Sequence, residues 1–159
     1  MRSSSPPEEY VTVVDNKGRE RVQRVEYTVT DVRGEQVYVT ADGLAYARDS
    51  LAAKGFQYLI EELDRIPSIL AHPDIVVRDH TSPDDTLIYY NSVYIASLSV
   101  HQLIAVVVKV RRGVKFFYNM HPQSSGKVKG RAERVPPEVW YIAPGRKHRD
   151  FGLLPERRR

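Results

Sequence analysis

The chain has 159 residues, of which 42% are apolar, and this is enough for one compact domain with extensions. It contains no cysteine, which excludes disulfide frameworks and cysteine-based zinc sites and fits a cytoplasmic protein. The N-terminus "MRSSSPPEEY" lacks the apolar core of a signal peptide, and no apolar run approaches the ~20 residues that span a bilayer. We therefore expect a cytoplasmic protein without a membrane-spanning segment.

The net charge of +4 conceals a strong asymmetry along the chain. From Lys109 to Arg159 there are 14 Lys or Arg against 4 Asp or Glu, a net charge of +10. Residues 1–108 carry 10 against 16, a net charge of −6. A basic C-terminal third on a mildly acidic body indicates a polyanionic partner, with nucleic acid first, although a solvated basic tail would have the same composition.

The N-terminal third predicts a short tail followed by strands. Residues 1–9 are rich in Ser, Pro and Glu and are expected to be disordered. In "YVTVVDNKGRERVQRVEYTVT", alternating segments flank "DNKG", which predicts a hairpin turning at Asn16, Lys17 and Gly18. "DVRGEQVYVT" predicts a second turn at Arg33-Gly34 and a strand that ends at Thr40.

Helical spacing begins after this strand. "TADGLAYARDSLAAK" predicts a helix with Thr40 or Asp42 as its N-cap and Gly55 at its end. "FQYLIEELDRI" predicts a second helical stretch, and Pro67 suits the first turn of a third, "PSILA".

The segment after "HPD" predicts an antiparallel meander of four strands, in "DIVVRD", "TLIYYNSVYIA", "QLIAVVVKVRR" and "VKFFYNM". The continuous apolar run of the third suits a central strand covered on both faces. The predicted fold is therefore α+β, with an N-terminal hairpin and short helices packed on a four-stranded antiparallel sheet. Residues 10–135 would form this single domain, and residues 136–159 would form a basic, irregular, proline-rich arm.

The segment "YNMHPQSSGKVKG" at the end of the meander has the chemistry needed to handle a phosphodiester. Metal-independent RNA cleavage needs a base, an acid, and cations for the developing phosphorane charge. His121 could be the acid or base, Tyr118 a proton donor, and Lys109 a catalytic cation. An ordinary surface loop is the alternative. The predicted nucleic-acid contacts are Lys109, Arg111, Arg112, Ser124, Ser125, Lys127, Lys129 and Arg131.

No cofactor or metal is predicted, since Gly-rich phosphate loops, GxSxG elbows and HExxH helices are all absent from the sequence. No two histidines have the close sequence spacing that is typical of metal ligands. His72 and His80 with the nearby Asp74 and Asp79 could conceivably hold a metal ion, but turn and helix-stop roles explain these residues more simply.

The order of segments, "VYVTADGLAYARDSLAAKGFQYLIEELDRIPSILAHPDIVVRD", "TLIYYNSV", "LIAVVVKV" and "KFFYNM", resembles the phage-associated branch of the barnase–EndoU–colicin–RelE-like nuclease superfamily. The resemblance covers about residues 36–129. It implies helices before a four-stranded antiparallel sheet, and metal-independent RNA cleavage in toxin or phage-conflict settings. Lys109 matches the lysine that ends the family's central strand.

The sequence departs from this family at other active positions. Where the family's first helix commonly carries histidines, this chain has Tyr46 and then Ser50 or Leu51, and where the last strand commonly ends in Thr or Ser it has Asn119. Tyr46 is therefore a further candidate catalytic residue, since RelE-like members function with Lys, Arg and Tyr.

Two interpretations of function follow. The first is an RNA endonuclease that binds RNA in a basic cleft. The second is a non-catalytic adaptor on the same fold that binds RNA, a ribosome or a protein such as an antitoxin, or a phage structural component.

Overall fold

The computed structural model describes residues 8–79, 85–123 and 138–146. These residues form an eight-stranded sheet in the order β1-β2-β3-β7-β6-β5-β4-β8, with helices packed on one face. The strands are β1 (Tyr10–Val14), β2 (Glu20–Thr30), β3 (Gln36–Thr40), β4 (Ile75–Asp79), β5 (Asp85–Ile95), β6 (Val100–Arg111), β7 (Val114–Pro122) and β8 (Glu138–Ile142). The helices are α1 (Ala41–Ala53), a 3-10 helix (Gln57–Arg65) and α2 (Ile66–Ala71).

The predicted N-terminal hairpin is confirmed. β1 pairs antiparallel with the first half of β2, and β3 pairs antiparallel with its second half. Gly18 and Gly34 adopt positive φ angles of 77° and 84° in the two turns, a conformation that glycine adopts without steric cost. One long strand therefore belongs both to the hairpin and to the main sheet.

The helical segment begins and ends as predicted. The Thr40 side chain accepts a hydrogen bond from the Gly43 backbone N–H at 3.0 Å and caps α1. Gly55, with φ 80°, follows the end of the helix. The second helical stretch is a 3-10 helix, and Pro67 lies in the first turn of α2. Apolar side chains of all three helices are buried against the sheet, among them Leu51, Leu63 and Ile69.

The meander β4-β5-β6-β7 is antiparallel throughout, as predicted. Arg112 and Gly113 join β6 to β7 with φ angles of 51° and 78°, the positive pair of a two-residue hairpin turn. Val106 and Val108 of β6 belong to the core on the helix side, whereas Ala105 belongs to a second cluster on the opposite face. The central strand is thus covered on both faces.

The four-stranded sheet predicted from the sequence is wrong in extent. The sheet continues past β7 because β3 pairs with it in parallel, through Tyr38 and Phe116. At the other edge, β8 pairs antiparallel with β4, within the segment that was expected to be irregular. Both pairings join residues that are at least sixty positions apart in the chain, so no local turn signal predicts them. The α+β class itself is confirmed.

A buried polar cluster fixes the β2–β3 turn to the sheet. The Asp31 carboxylate accepts hydrogen bonds from the Lys115 ammonium and the Tyr89 hydroxyl, each at 2.5 Å. It also accepts backbone N–H groups of Arg33 and Glu35 at 2.9 Å. Burial alone would raise the pKa of Asp31, but these donors outweigh it and hold the pKa below its usual value. The cluster is fully hydrogen-bonded, which is what a buried charge requires.

Candidate functional site

A pocket of about 290 Å³ opens where the β1–β2 hairpin, the start of α1 and the β6–β7 pair meet. This volume lies just below the ~300–1,000 Å³ range that is typical of ligand pockets. Apolar side chains form much of the wall, and polar groups converge on it. The lining residues are Val13, Val14, Asp15, Asn16, Gln23, Asp42, Gly43, Tyr46, Arg111, Phe116, Phe117 and Tyr118.

Two tyrosines from different elements meet at this pocket. The ring centroids of Tyr46 on α1 and Tyr118 on β7 are 5.8 Å apart, with their planes tilted by 41°. The adjacent Tyr118 phenol raises the pKa of Tyr46, and partial burial adds to the effect. Tyr46 therefore keeps its proton at neutral pH and can act as a hydrogen-bond donor.

A β-bulge places Tyr118 at the pocket. Val108 of β6 pairs with Phe117, but the preceding Val107 pairs with Asn119. Tyr118 is thus the extra residue of β7, and bulges of this kind redirect a side chain and recur near active sites. Phe117 points into the core beneath α1, where it is only 2% exposed.

Lys109 brings a positive charge close to the Tyr118 ring, although it is not among the residues that line the pocket. Its ammonium lies 5.2 Å from the centroid of the Tyr118 ring and donates a hydrogen bond to the Thr86 hydroxyl at 3.0 Å. Among the residues that the structure describes, this hydroxyl takes one of the three N–H groups of the ammonium, which leaves the other two as donors toward a ligand.

Arg111 joins the sheet to the hairpin and forms part of the pocket wall. Its guanidinium donates to the Val14 carbonyl at 2.7 Å and to the Asn16 side-chain oxygen at 2.9 Å. The Asn16 amide nitrogen in turn donates to the Tyr118 hydroxyl at 2.8 Å. The side chain of Arg111 is buried, so it fixes the hairpin turn against β6 and β7.

A second hydrogen-bonded chain orients Gln23. The Thr40 hydroxyl accepts the Gly43 N–H and therefore has one proton to give, which it donates to the Gln23 side-chain oxygen at 2.7 Å. The Gln23 oxygen is thus an acceptor, and its amide NH₂ is left as a donor at the pocket. Gly43 permits this close packing, because a Cβ there would lie 3.1 Å from the Thr40 hydroxyl and 3.2 Å from the Phe117 carbonyl.

Two carboxylates line the pocket, and they differ in their surroundings. The Arg19 backbone N–H lowers the pKa of Asp15 to about 2, with help from the Lys17 N–H and from the Arg19 and Arg21 side chains that form salt bridges with it. Asp42 forms no ion pair within the described part of the chain. It lies four residues before Tyr46 on α1, so the two share a face of the helix.

His121 lies further along β7. It pairs with Ala105, whereas Lys109 pairs with Phe116, so the two positions are ~13 Å apart along the strands at ~3.3 Å per residue. The His121 Nδ1 lies 3.2 Å from the Pro122 carbonyl oxygen.

Of the other predicted RNA contacts, Arg112 forms an exposed salt bridge with Glu20 at 2.7 Å, in the turn after β6. Five more lie outside the described residues: Ser124, Ser125, Lys127, Lys129 and Arg131.

The structure thus brings together Tyr46, Tyr118, Lys109 and Arg111, all of which the sequence singled out. It adds Asn16, Gln23 and Asp42 to the pocket. Asn16 was interpreted only as a turn residue and Asp42 only as a capping residue. Only the folding of the hairpin toward β7 gives Asn16 and Gln23 a second role, and no local pattern contains that information.

In residues 8–79, 85–123 and 138–146, no three His, Asp or Glu side chains gather closely enough to hold a metal ion. No helix of the described chain is long and apolar enough to cross a bilayer.

Comparisons with models of protein families, with curated proteins and with solved structures found no match to this chain.

Proposed function

We propose that the chain is a metal-independent ribonuclease that binds single-stranded RNA at the pocket between the hairpin, α1 and β7. The observation that carries this proposal is that Tyr46 and Tyr118 line one pocket, with the Lys109 ammonium 5.2 Å from the centroid of the Tyr118 ring. Tyrosine faces provide stacking surfaces for bases, and a lysine provides charge for phosphate. Tyr46 is 52% exposed, so a base can reach its ring.

Each polar group has a role in this proposal. Lys109 and the Gln23 amide donate hydrogen bonds to the phosphate oxygens, whose negative charge grows as the phosphorane forms. Arg111 adds a fixed positive charge in the wall. Tyr118 donates a proton to the leaving oxygen, and Tyr46 holds the phosphate as a neutral donor because its pKa is raised.

Asp42 is the proposed base, since it lines the pocket one helical turn before Tyr46 and forms no ion pair with the described residues. It takes the proton of the ribose 2′-hydroxyl as the 2′-oxygen bonds to phosphorus. The P–O5′ bond breaks, and the O5′ receives the Tyr118 proton. The products are a 2′,3′-cyclic phosphate and a 5′-hydroxyl end.

The test is cleavage of end-labelled single-stranded RNA in the presence of a chelator. We expect Tyr118→Phe to reduce the cleavage rate by ~10²-fold or more, the typical size of general-acid catalysis. Tyr94→Phe is the control for loss of a tyrosine hydroxyl, because Tyr94 is 50% exposed and pairs with His101, eight residues along β6 from Lys109. Equal rates for wild type and Tyr118→Phe would refute the assignment.

The position of His121 favours a second candidate, a non-catalytic RNA-binding adaptor. None of the histidines in the described part of the chain lines the pocket, so an aspartate takes the place of the usual neutral-pH base. In this case the same RNA would bind, with an affinity that falls steeply as salt rises, but no product would form in the chelator assay.

A further inference from the structure

We propose that Asn16 is a positioning residue that directs the Tyr118 proton into the pocket. This inference rests on the proposed ribonuclease function for its catalytic meaning. The direction of the hydrogen bonds does not depend on that function, because donor and acceptor chemistry alone determines it.

Arg111 determines the direction of these hydrogen bonds. A guanidinium can only donate hydrogen bonds, so the atom of Asn16 that faces it at 2.9 Å must be the side-chain oxygen. The other end of the Asn16 amide is then its NH₂ group, which also can only donate. It faces the Tyr118 hydroxyl at 2.8 Å, so the Tyr118 oxygen must accept.

The hydroxyl proton of Tyr118 is therefore not used in its bond with Asn16. It remains available to a group in the pocket, which is what a proton donor requires. Arg111 is 8% exposed and also donates to the Val14 carbonyl at 2.7 Å. The side chain that sets the direction of the Asn16 hydrogen bonds is therefore held in place by burial and by a second hydrogen bond. The turn residue Asn16 transmits the orientation from the sheet to the tyrosine.

Asn16→Asp reverses this arrangement with little change in shape. Arg111 can still donate to one carboxylate oxygen, but the other oxygen would now accept the Tyr118 proton and withdraw it from the pocket. Asn16→Ala instead removes both hydrogen bonds and leaves the Tyr118 proton free but unoriented. We expect cleavage rates in the order wild type, Asn16→Ala, Asn16→Asp, with a loss of at least ~10-fold for Asn16→Asp.

A merely structural role for Asn16 predicts the opposite order of the two variants, because Ala breaks the contact with Arg111 and Asp keeps it. The negative charge that Asn16→Asp introduces could also slow cleavage by repelling the RNA phosphate. A double-mutant cycle with Tyr118→Phe separates this effect from an effect on the Tyr118 proton. If Asn16→Asp acts through the Tyr118 proton, it causes no further loss of cleavage rate in the Tyr118→Phe background. The same fold loss in both backgrounds would overturn the proposal.

A second measurement on the same four proteins is independent of cleavage. Alkaline titration followed at 295 nm reports tyrosine ionisation, and one tyrosine should ionise later in Asn16→Asp than in wild type. This delay should vanish in the Tyr118→Phe background. If wild type does not cleave RNA, the proposed function fails but the titration still decides the hydrogen-bond direction, and identical titration curves for wild type and Asn16→Asp would refute it.

Discussion

Replacing Lys115 by methionine gives the sharpest test of the fold, because it leaves the Asp31 carboxylate in the core without its cation. The Lys115 ammonium lies 2.5 Å from Asp31, whose side chain is 0% exposed, and also 2.8 Å from the half-exposed Glu35. Removing one partner of a buried ion pair costs ~3–5 kcal/mol, and most of this comes from the carboxylate left behind. The exposed Glu35 contact contributes little to that figure.

Urea unfolding of wild type and Lys115→Met would measure this loss of unfolding free energy. The matched control is Arg112→Met, which breaks the salt bridge with Glu20, where both side chains are 63% exposed, and should cost only ~0–1 kcal/mol. Asp31→Asn combined with Lys115→Met should recover part of the loss, since the buried charge is then gone. A cost below ~1 kcal/mol for Lys115→Met would refute the reasoning.

The remaining predictions concern the pH dependence and the ligand. Because the pKa of Asp31 is lower in the folded state, its contribution to stability is present above ~pH 4 and is lost as pH falls through the folded value; acid titration of the urea midpoint should show this loss, and Lys115→Met should flatten it. Gln23→Glu keeps the bond from Thr40 but turns a carboxylate oxygen toward the pocket, so RNA should bind several-fold more weakly and unfolding should barely change. Unaltered binding in Gln23→Glu would place the RNA phosphate elsewhere. His121→Ala should retain the wild-type cleavage rate, and a large loss would move the catalytic centre along β7.

Local sequence patterns predicted the elements that depend on local chemistry. The turns at Gly18 and Gly34, the Thr40 cap and the four-stranded meander all carry short-range signals, and the structure has them where they were expected. The parallel pairing of β3 with β7 and the addition of β8 depend on contacts between distant segments. Such pairings are decided by which exposed strand edges remain after the local elements have formed.

The candidate site shows the same division. Tyr118 and Lys109 were chosen for their chemistry and Tyr46 through the family resemblance, and the fold places both Tyr46 and Lys109 beside the Tyr118 ring. His121 was chosen by the same criterion, but the strand register carries it past the pocket. The bulge that makes Tyr118 an extra residue also has no signature in "KFFYNM". Residue type can therefore identify candidate catalytic groups, but the register of the strands and the position of β-bulges determine which candidates lie close together.

The most direct test of the proposed ribonuclease is end-group analysis of RNA incubated with wild type and with Tyr118→Phe in a chelator. We expect wild type to yield 2′,3′-cyclic phosphate ends, Tyr118→Phe to yield them ~10²-fold more slowly, and Tyr94→Phe to match wild type. RNA that stays intact with wild type, or is cut equally fast by Tyr118→Phe, would contradict it.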